Sequence, residues 1–239
     1  MTILLTGSSR GIGAAIHDSL TARGATVIGH ASRDADGRIG IDLDEPDGAD
    51  RLWAAALERA GGRIDALVNN AGVFEANPLD GDDAEWLAGW ERTMRINLTA
   101  SAQLCRLAVR HWQERTTRDG YTGGRIVNIA SCAAYRGDSP AHWHYAASKA
   151  GMVAMTKTIA RGYAREGILA FAVCPGFTMT GMADDYLASR GGDKLLADIP
   201  LGKVADPAEV ASVATYLTLD APPSMTGAVL DVNGASYVR

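Results

Sequence analysis

The sequence predicts an α/β fold: a doubly wound, mainly parallel sheet of seven strands with helices on both faces. Three observations carry this. Short apolar, β-branched runs alternate with longer stretches whose apolar residues recur at helical spacing. A glycine cluster stands between the first such run and the first helical stretch. No Pro/Gly/Ser-rich linker and no repeat divides the 239 residues, so 1–239 reads as a single domain.

The elements follow in order. "TILLT" (Thr2–Thr6) is the first strand. "IGAAIHDSLTAR" (Ile12–Arg23) places apolar residues at 12, 15, 16 and 20, one face of a helix, and Gly24 closes it as a C-terminal glycine does. "TVIGH" (Thr26–His30) and "RIGIDL" (Arg38–Leu43) are the second and third strands, and a helix covers Asp47–Ala60. "DALVNN" (Asp65–Asn70) is the fourth strand. A long helical stretch, Asp83–Arg115, is bent or broken near Asn97. "GRIVNIAS" (Gly124–Ser131) is the fifth strand, Tyr145–Arg165 a helix, "ILAFAVC" (Ile168–Cys174) the sixth strand, Pro207–Leu219 a helix and "GAVLDV" (Gly227–Val232) the seventh strand. Residues 177–200 show no clear period and read as a substrate lid.

Composition excludes several classes. The chain is 47% hydrophobic and 21% charged, as in a soluble globular protein. With net charge -5 and no basic stripe, nucleic acid and anionic membranes are poor partners. The three cysteines, Cys105, Cys132 and Cys174, are odd in number and lack metal-ligand spacing. That argues against a disulfide framework or a metal site and fits a cytoplasmic protein. The start, "MTILLTGSSRG", lacks a charged leader, and no window nears the roughly 20 apolar residues of a membrane span.

"TGSSRGIG" ends the first strand and opens the first helix. Gly7, Ser8, Ser9, Arg10, Gly11, Ile12 and Gly13 let the backbone turn sharply and a pyrophosphate approach. The helix N-terminus behind them offers free N–H groups and partial positive charge. This is a Rossmann-like arrangement, although a glycine cluster also serves plain turns. Downstream, Tyr145 and Lys149 stand four apart and share a helix face. An ammonium beside a tyrosine lowers its pKa and equips it to exchange a proton with an alcohol or carbonyl oxygen.

The spacing Gly-x-x-x-Gly-x-Gly, then "NNAG" (Asn69–Gly72), Asn97 in "RINLTA", Ser131 ending "IVNIAS", "YAASK" (Tyr145–Lys149) and "PGFTMT" (Pro175–Thr180) occur in one order. From end to end the chain resembles the short-chain dehydrogenase/reductase family, most of all its β-ketoacyl-[acyl-carrier-protein] reductases. The resemblance implies roles. Tyr145 is the general acid in reduction and the general base in oxidation. Lys149 lowers its pKa and holds the nicotinamide ribose. Ser131 bonds the substrate oxygen, and Asn97 positions a water linking Lys149 to solvent. Ser131 and Tyr145 are 14 positions apart, one more than close relatives imply, which reshapes the substrate mouth and leaves the catalytic set alone. Cys132 reads as a packed residue, not a nucleophile.

The resemblance also places Asp42 and Leu43 beside the adenine, Asn69, Ala71 and Gly72 beside its ribose, and Pro175, Gly176, Thr178 and Thr180 around the nicotinamide. The end of the second strand, His30, Ala31 and Ser32, carries no acid; Arg33 follows and Arg10 lies in the glycine turn. This favours NADP over NAD, with Asp34 and Asp36 in the loop beyond. Tyr135, His142, Trp143, Phe177 and Met182, with His144, Met179 and Tyr186, surround the expected substrate. They offer no cationic cluster for an anionic one. A 3-oxoacyl thioester on an acyl carrier protein would need a basic patch such as Arg92, Arg95, Arg106 and Arg110. An alcohol, sugar or polyol dehydrogenase using NAD is the alternative. A non-catalytic dinucleotide sensor is a further one, against which the Tyr/Lys pair argues. The resemblance implies a homotetramer through the Asp83–Arg115 and Tyr145–Arg165 helices and the last strand.

Overall fold

A computed structural model describes residues 1–119, 123–179 and 196–238, and the side chains of all of these except 116–119. Strands and helices alternate as the periodicity predicts: β1 (Thr2–Leu5), α1 (Gly11–Ala22), β2 (Thr26–Ala31), β3 (Ile39–Gly40), α2 (Gly48–Arg59), β4 (Ala66–Asn69), α3 (Asp83–Met94), α4 (Ala100–Asp119), β5 (Gly124–Ile129), α5 (Ala133–Arg136), α6 (Trp143–Tyr163), β6 (Ile168–Pro175), α7 (Pro207–Leu219) and β7 (Val229–Val232). The described strands form one seven-stranded sheet in the order 3-2-1-4-5-6-7, and each neighbouring pair is parallel. The order reverses at β1. Doubly wound sheets bind ligands in the crevice at such a point, outside the carboxyl ends of the strands.

Successive strand residues point to opposite faces, so each strand feeds two cores. Leu4, Ile28, Leu67 and Ile126 pack under α2, α4 and α6 with Leu52, Leu104, Trp112 and Ile159. Ile3, Leu5, Val68, Val127 and Phe171 pack under α1 and α7 with Ile16, Leu20, Val210 and Leu217. Burial on both faces explains why these strands read as unbroken apolar runs. Asp206 and Glu209 close a reciprocal capping box at the start of α7, where Pro207 follows.

Tight packing fixes β5 against α4. Trp112 is fully buried, and its indole N–H donates to the Ile64 carbonyl at 2.8 Å. A Cβ on Gly124 would meet the Trp112 ring at 2.2 Å. Gly124→Ala is therefore expected to destabilise the fold by about 2 kcal/mol through overpacking. Gly162→Ala, which faces open space on α6, should be neutral or stabilising. Urea unfolding of both variants checks this; equal midpoints would contradict it.

The third strand is much shorter than the run Arg38–Leu43 suggests, and Asp42 and Leu43 lie beyond its end. The Ile41 N–H still donates to the Ala31 carbonyl at 3.0 Å, and the chain then turns at Asp42 while Asp34 covers the outer edge. The Asp34 carboxylate accepts the Gly40 N–H at 3.1 Å, and Asp42 turns back to accept the Asp44 N–H at 2.9 Å. Only residues 32–38 join β2 to β3. Parallel neighbours ordinarily need a crossover of about a dozen residues or more, most often a helix. Here β3 has two residues, and Asp36 and Gly37 take positive φ (46° and 76°) to close the short connection.

Candidate active site

The glycine turn occupies the crevice at the end of β1. A Cβ on Gly13 would meet the Gly7 carbonyl oxygen at 2.0 Å, and one on Gly7 would meet Ala71 Cα at 2.8 Å. Those close approaches require glycine. Arg10, at the N-cap of α1, makes no side-chain capping bond, and no acid lies in the first turn. The first N–H groups of α1 thus have no side-chain cap from Arg10, and the positive end of the helix dipole lies behind them. Asn70 braces the turn from β4: its Nδ2 donates to the Gly7 carbonyl at 2.9 Å and to the Thr6 carbonyl at 3.1 Å. Thr6 Oγ1 in return accepts the N–H groups of Asn70 and Ala71. His30 braces it from β2, its Nδ1 lying 3.1 Å from the Gly7 nitrogen.

Beyond β2, Ser32 and Arg33 are exposed, as is Arg10. Asp34 is engaged by Gly40, and Asp36 stands in solvent 3.8 Å from Arg38. Arg38 reaches back over Gly29, and its Nε donates to the Ser8 carbonyl and hydroxyl, both at 3.2 Å. Its position in sequence, past the loop, hid it. Leu43 is buried in the core under α2, so it can meet a cofactor only through its backbone. The Asn69 side chain is likewise turned inward, donating to Asn128 Oδ1 at 2.9 Å, whereas Gly72 is exposed.

Asn97 lies in a π-helical turn (Arg95–Thr99) between α3 and α4. The extra residue of such a turn breaks the helix where the sequence places the break, and it aims Asn97 inward. Asn97 Oδ1 accepts the Val73 N–H at 2.8 Å, and its Nδ2 donates to the Val73 carbonyl. A Cβ on Gly72 would meet Asn97 Oδ1 at 3.2 Å and Lys149 Nζ at 3.5 Å, so both groups converge on one point.

Ser131 follows β5, while Tyr145 and Lys149 lie on the first turns of α6. Ser131 and Tyr145 face each other through their side chains, and Ser131 favours the ionised form of the tyrosine. Lys149 Nζ stands 5.8 Å from the centre of the Tyr145 ring and donates to the Ile129 carbonyl at 2.9 Å. Burial pushes the Tyr145 hydroxyl up to about 12, against the effect of Ser131, and pushes the Lys149 ammonium down to about 8. Desolvation, not the lysine's charge, sets the direction for the tyrosine here. Cys132 is buried and its thiol is pushed up, an unreactive state.

Phe74, which no sequence signal marked, lies against Tyr145. Its ring stacks on His142 at 4.0 Å and meets the Tyr145 ring edgewise at 4.8 Å. Trp143, half exposed, extends this aromatic group toward Trp86, and His144 extends it toward Trp90. Tyr135 is placed differently: it stacks on Tyr237 of the C-terminal tail. On the other side of the site, Ala205 bridges Thr178 through the backbone of Phe177 and Met179, which leaves the Thr178 peptide groups facing away from that bridge. A Cβ on Gly176 would meet Asn233 at 2.8 Å, holding the chain close over β7. Thr180, Met182 and Tyr186 lie outside the described residues. Of the four arginines considered for a carrier protein, Arg92 pairs with Asp44 and Glu75, and Arg95 with Asp44; Arg106 and Arg110 are exposed.

A parallel doubly wound sheet, a glycine turn at its reversal point and a Ser/Tyr/Lys cluster beside it define a dinucleotide-linked oxidoreductase. Residues 7–235 match a family model described as enoyl-(acyl carrier protein) reductase. The chain is 33% identical over 247 residues to 3-oxoacyl-[acyl-carrier-protein] reductase of Vibrio cholerae, covering 98% of this chain and 96% of that one. It is 33% identical over 252 residues to 3β-hydroxysteroid dehydrogenase 1 of Eggerthella lenta, covering 98% and 92%. The ligand-free structure of Thermoplasma acidophilum aldohexose dehydrogenase superposes with a TM-score of 0.85 at 26% identity, covering 98% and 93%. The chain belongs to the short-chain dehydrogenase/reductase family, whose members act on the CH–OH/C=O pair with a nicotinamide cofactor. Among the described residues, no helix is long and apolar enough to cross a membrane.

Proposed function

We propose that the protein is an NADP(H)-dependent carbonyl reductase whose proton donor is Tyr145. The observation that carries this reading is Lys149 buried beside the Tyr145 ring, with the Ser131 side chain facing the tyrosine. A bound nicotinamide would supply the hydride. The protein supplies the rest. Ser131 Oγ and the Tyr145 hydroxyl both donate to the carbonyl oxygen and stabilise the charge that develops there. Tyr145 then gives up its proton, and the Lys149 ammonium stabilises the phenolate left behind. Asn97, converging with Lys149 beside Gly72, holds the route by which that proton is replaced.

The fit to the dinucleotide rests on the Gly7/Gly13 cradle and the uncapped start of α1. Preference for a 2′-phosphate rests on charge: Arg33 follows β2, Arg10 stands in the glycine turn, Arg38 reaches back to Ser8, Ser32 offers a hydroxyl, and Asp34 is engaged by Gly40. For the substrate we infer a 3-oxoacyl thioester, supported by the relatives named for it. The ion pairs of Arg92 and Arg95 leave Arg106 and Arg110 as the cations a carrier protein would meet. The aromatic group around Phe74 favours a second reading, a neutral ring-bearing ketone. The whole chain as one domain and a cytoplasmic homotetramer complete the proposal; residues 180–195 of the expected lid lie outside the described residues.

Fluorescence titration with NADPH and NADH, followed by turnover on an acetoacetyl thioester and on cyclic ketones, tests this. Tighter NADPH binding with thioester turnover is the expected result. Tighter NADH binding would overturn the cofactor assignment. Turnover of cyclic ketones alone would transfer the assignment to the second substrate class.

A further inference from the structure

His30 is the penultimate residue of β2, and its ring lies between two backbone groups whose roles are fixed. The Gly7 N–H can only donate, so Nδ1 accepts it, at 3.1 Å. The Ile41 carbonyl can only accept, so Nε2–H donates to it, at 2.8 Å. Together these bonds specify a neutral imidazole with its proton on Nε2. The ring is 2% exposed, so water does not compete for either bond. The backbone of the same residue holds the next position of the turn, since the Ser8 N–H donates to the His30 carbonyl at 2.8 Å. His30 thereby grips two consecutive residues of the turn that is to receive a pyrophosphate. Asn70 grips the same peptide from the other side, through the Gly7 carbonyl.

The short β2–β3 connection gives this ring its second anchor. With only residues 32–38 between the strands, the chain returns at once along β2, and the Ile41 carbonyl arrives opposite Nε2. The imidazole so ties the glycine turn to the segment after β3.

We propose that His30 is a positioning residue for the dinucleotide: its neutral ring holds the Gly7–Ser8 backbone in the cofactor-receiving geometry, and its protonation weakens cofactor binding. The inference rests on the dinucleotide reading given above. A protonated ring would present Nδ1–H to the Gly7 N–H, two donors face to face, and either the ring or the Gly7 peptide must turn away. The charged groups facing it are Asp42, next to Ile41, and Arg38, whose Nε is bonded to Ser8. Burial holds His30 below its ordinary 6.5, against the Ile41 carbonyl and Asp42, which both favour the proton. The ring is thus neutral at pH 7. Below the folded-state pKa, binding must first release a proton, and affinity falls by about tenfold per pH unit.

The test measures Kd for NADPH and NADH from pH 5 to 8 in the full-length wild type, His30→Asn and His30→Leu. NADH lacks the 2′-phosphate, whose own titration would otherwise mix with that of His30. Asparagine places a non-titrating acceptor near Nδ1. The wild type should lose affinity for both cofactors in acid. His30→Asn should bind within about threefold of wild type at pH 7.5 and lose the acid slope. His30→Leu, which strands the Gly7 N–H, should bind about tenfold more weakly at every pH. With saturating cofactor, kcat should move less than about twofold in both variants, because His30 touches no reacting atom. Identical acid slopes in wild type and His30→Asn would overturn the proposal while leaving the dinucleotide reading standing. No binding of either cofactor by any of the three proteins would overturn that reading itself.

Discussion

Tyr145→Phe is expected to lower kcat by about a thousandfold or more while leaving the Kd for NADPH unchanged. General acid catalysis is worth roughly 10²–10⁴ in rate, and the variant removes the donor without removing the ring. Phenylalanine retains the edgewise contact with Phe74 at 4.8 Å, so the wall of the site stands. Ser131 loses a partner but keeps the bond in which its Oγ accepts the Ala133 N–H at 3.1 Å. Substantial turnover in the variant would transfer the proton donor to another group. The wild-type pH profile gives a second check. Burial holds Tyr145 near 12, so the hydroxyl keeps its proton throughout the neutral range, as reduction requires. Lys149, held near 8, is charged below that pH and neutral above it. A neutral lysine no longer stabilises the phenolate, so kcat/KM for reduction should be flat below pH 8 and fall above it. Oxidation needs the tyrosine to accept a proton and should instead be favoured as pH rises.

What could be read beforehand follows from where the determinants lie. Strand and helix existence is local: the apolar runs and the 3.6-residue period survive folding, and α7 begins at Pro207 and ends at Leu219 as its sequence indicates. The break at Asn97 was visible because one polar residue interrupts an otherwise helical stretch; that it is a π turn was not, because that depends on the bonds Asn97 makes to Val73. The length of β3 was misread for a related reason. "RIGIDL" has strand-like alternation, but Asp42 turns the backbone just after Ile41 bonds to Ala31, and a side chain's choice of a nearby N–H leaves no period. Phe74 and Arg38 were missed because each reaches the site across space, from β4's loop and from the start of β3. Asn70 sits within a motif already singled out, yet its task, bonding the glycine turn, requires β1 and β4 to be neighbours.

That neighbourhood gives Gly13→Ala the other large expected effect. The added methyl would stand 2.0 Å from the Gly7 oxygen and 2.5 Å from Asn70 Nδ2, two atoms already bonded to each other at 2.9 Å. Neither can yield freely. Gly7 is held at its nitrogen by His30, and Asn70 is held at its backbone by Thr6. The turn must open, breaking the Asn70 bond and moving the Gly7 peptide away from the N-terminus of α1. Overpacking of this kind costs about 1–3 kcal/mol, and the deformation falls on the surface that would cradle the pyrophosphate. Dinucleotide affinity should therefore fall by about a hundredfold, with a smaller loss in Tm, and the far-ultraviolet circular dichroism spectrum should be retained because the atoms nearest the added methyl belong to Gly7 and Asn70, which are in neither core. Wild-type affinity in Gly13→Ala would mean that the phosphates bind elsewhere. The same titration separates the two sites of this enzyme: Gly13→Ala should fail at cofactor binding, and Tyr145→Phe only at turnover.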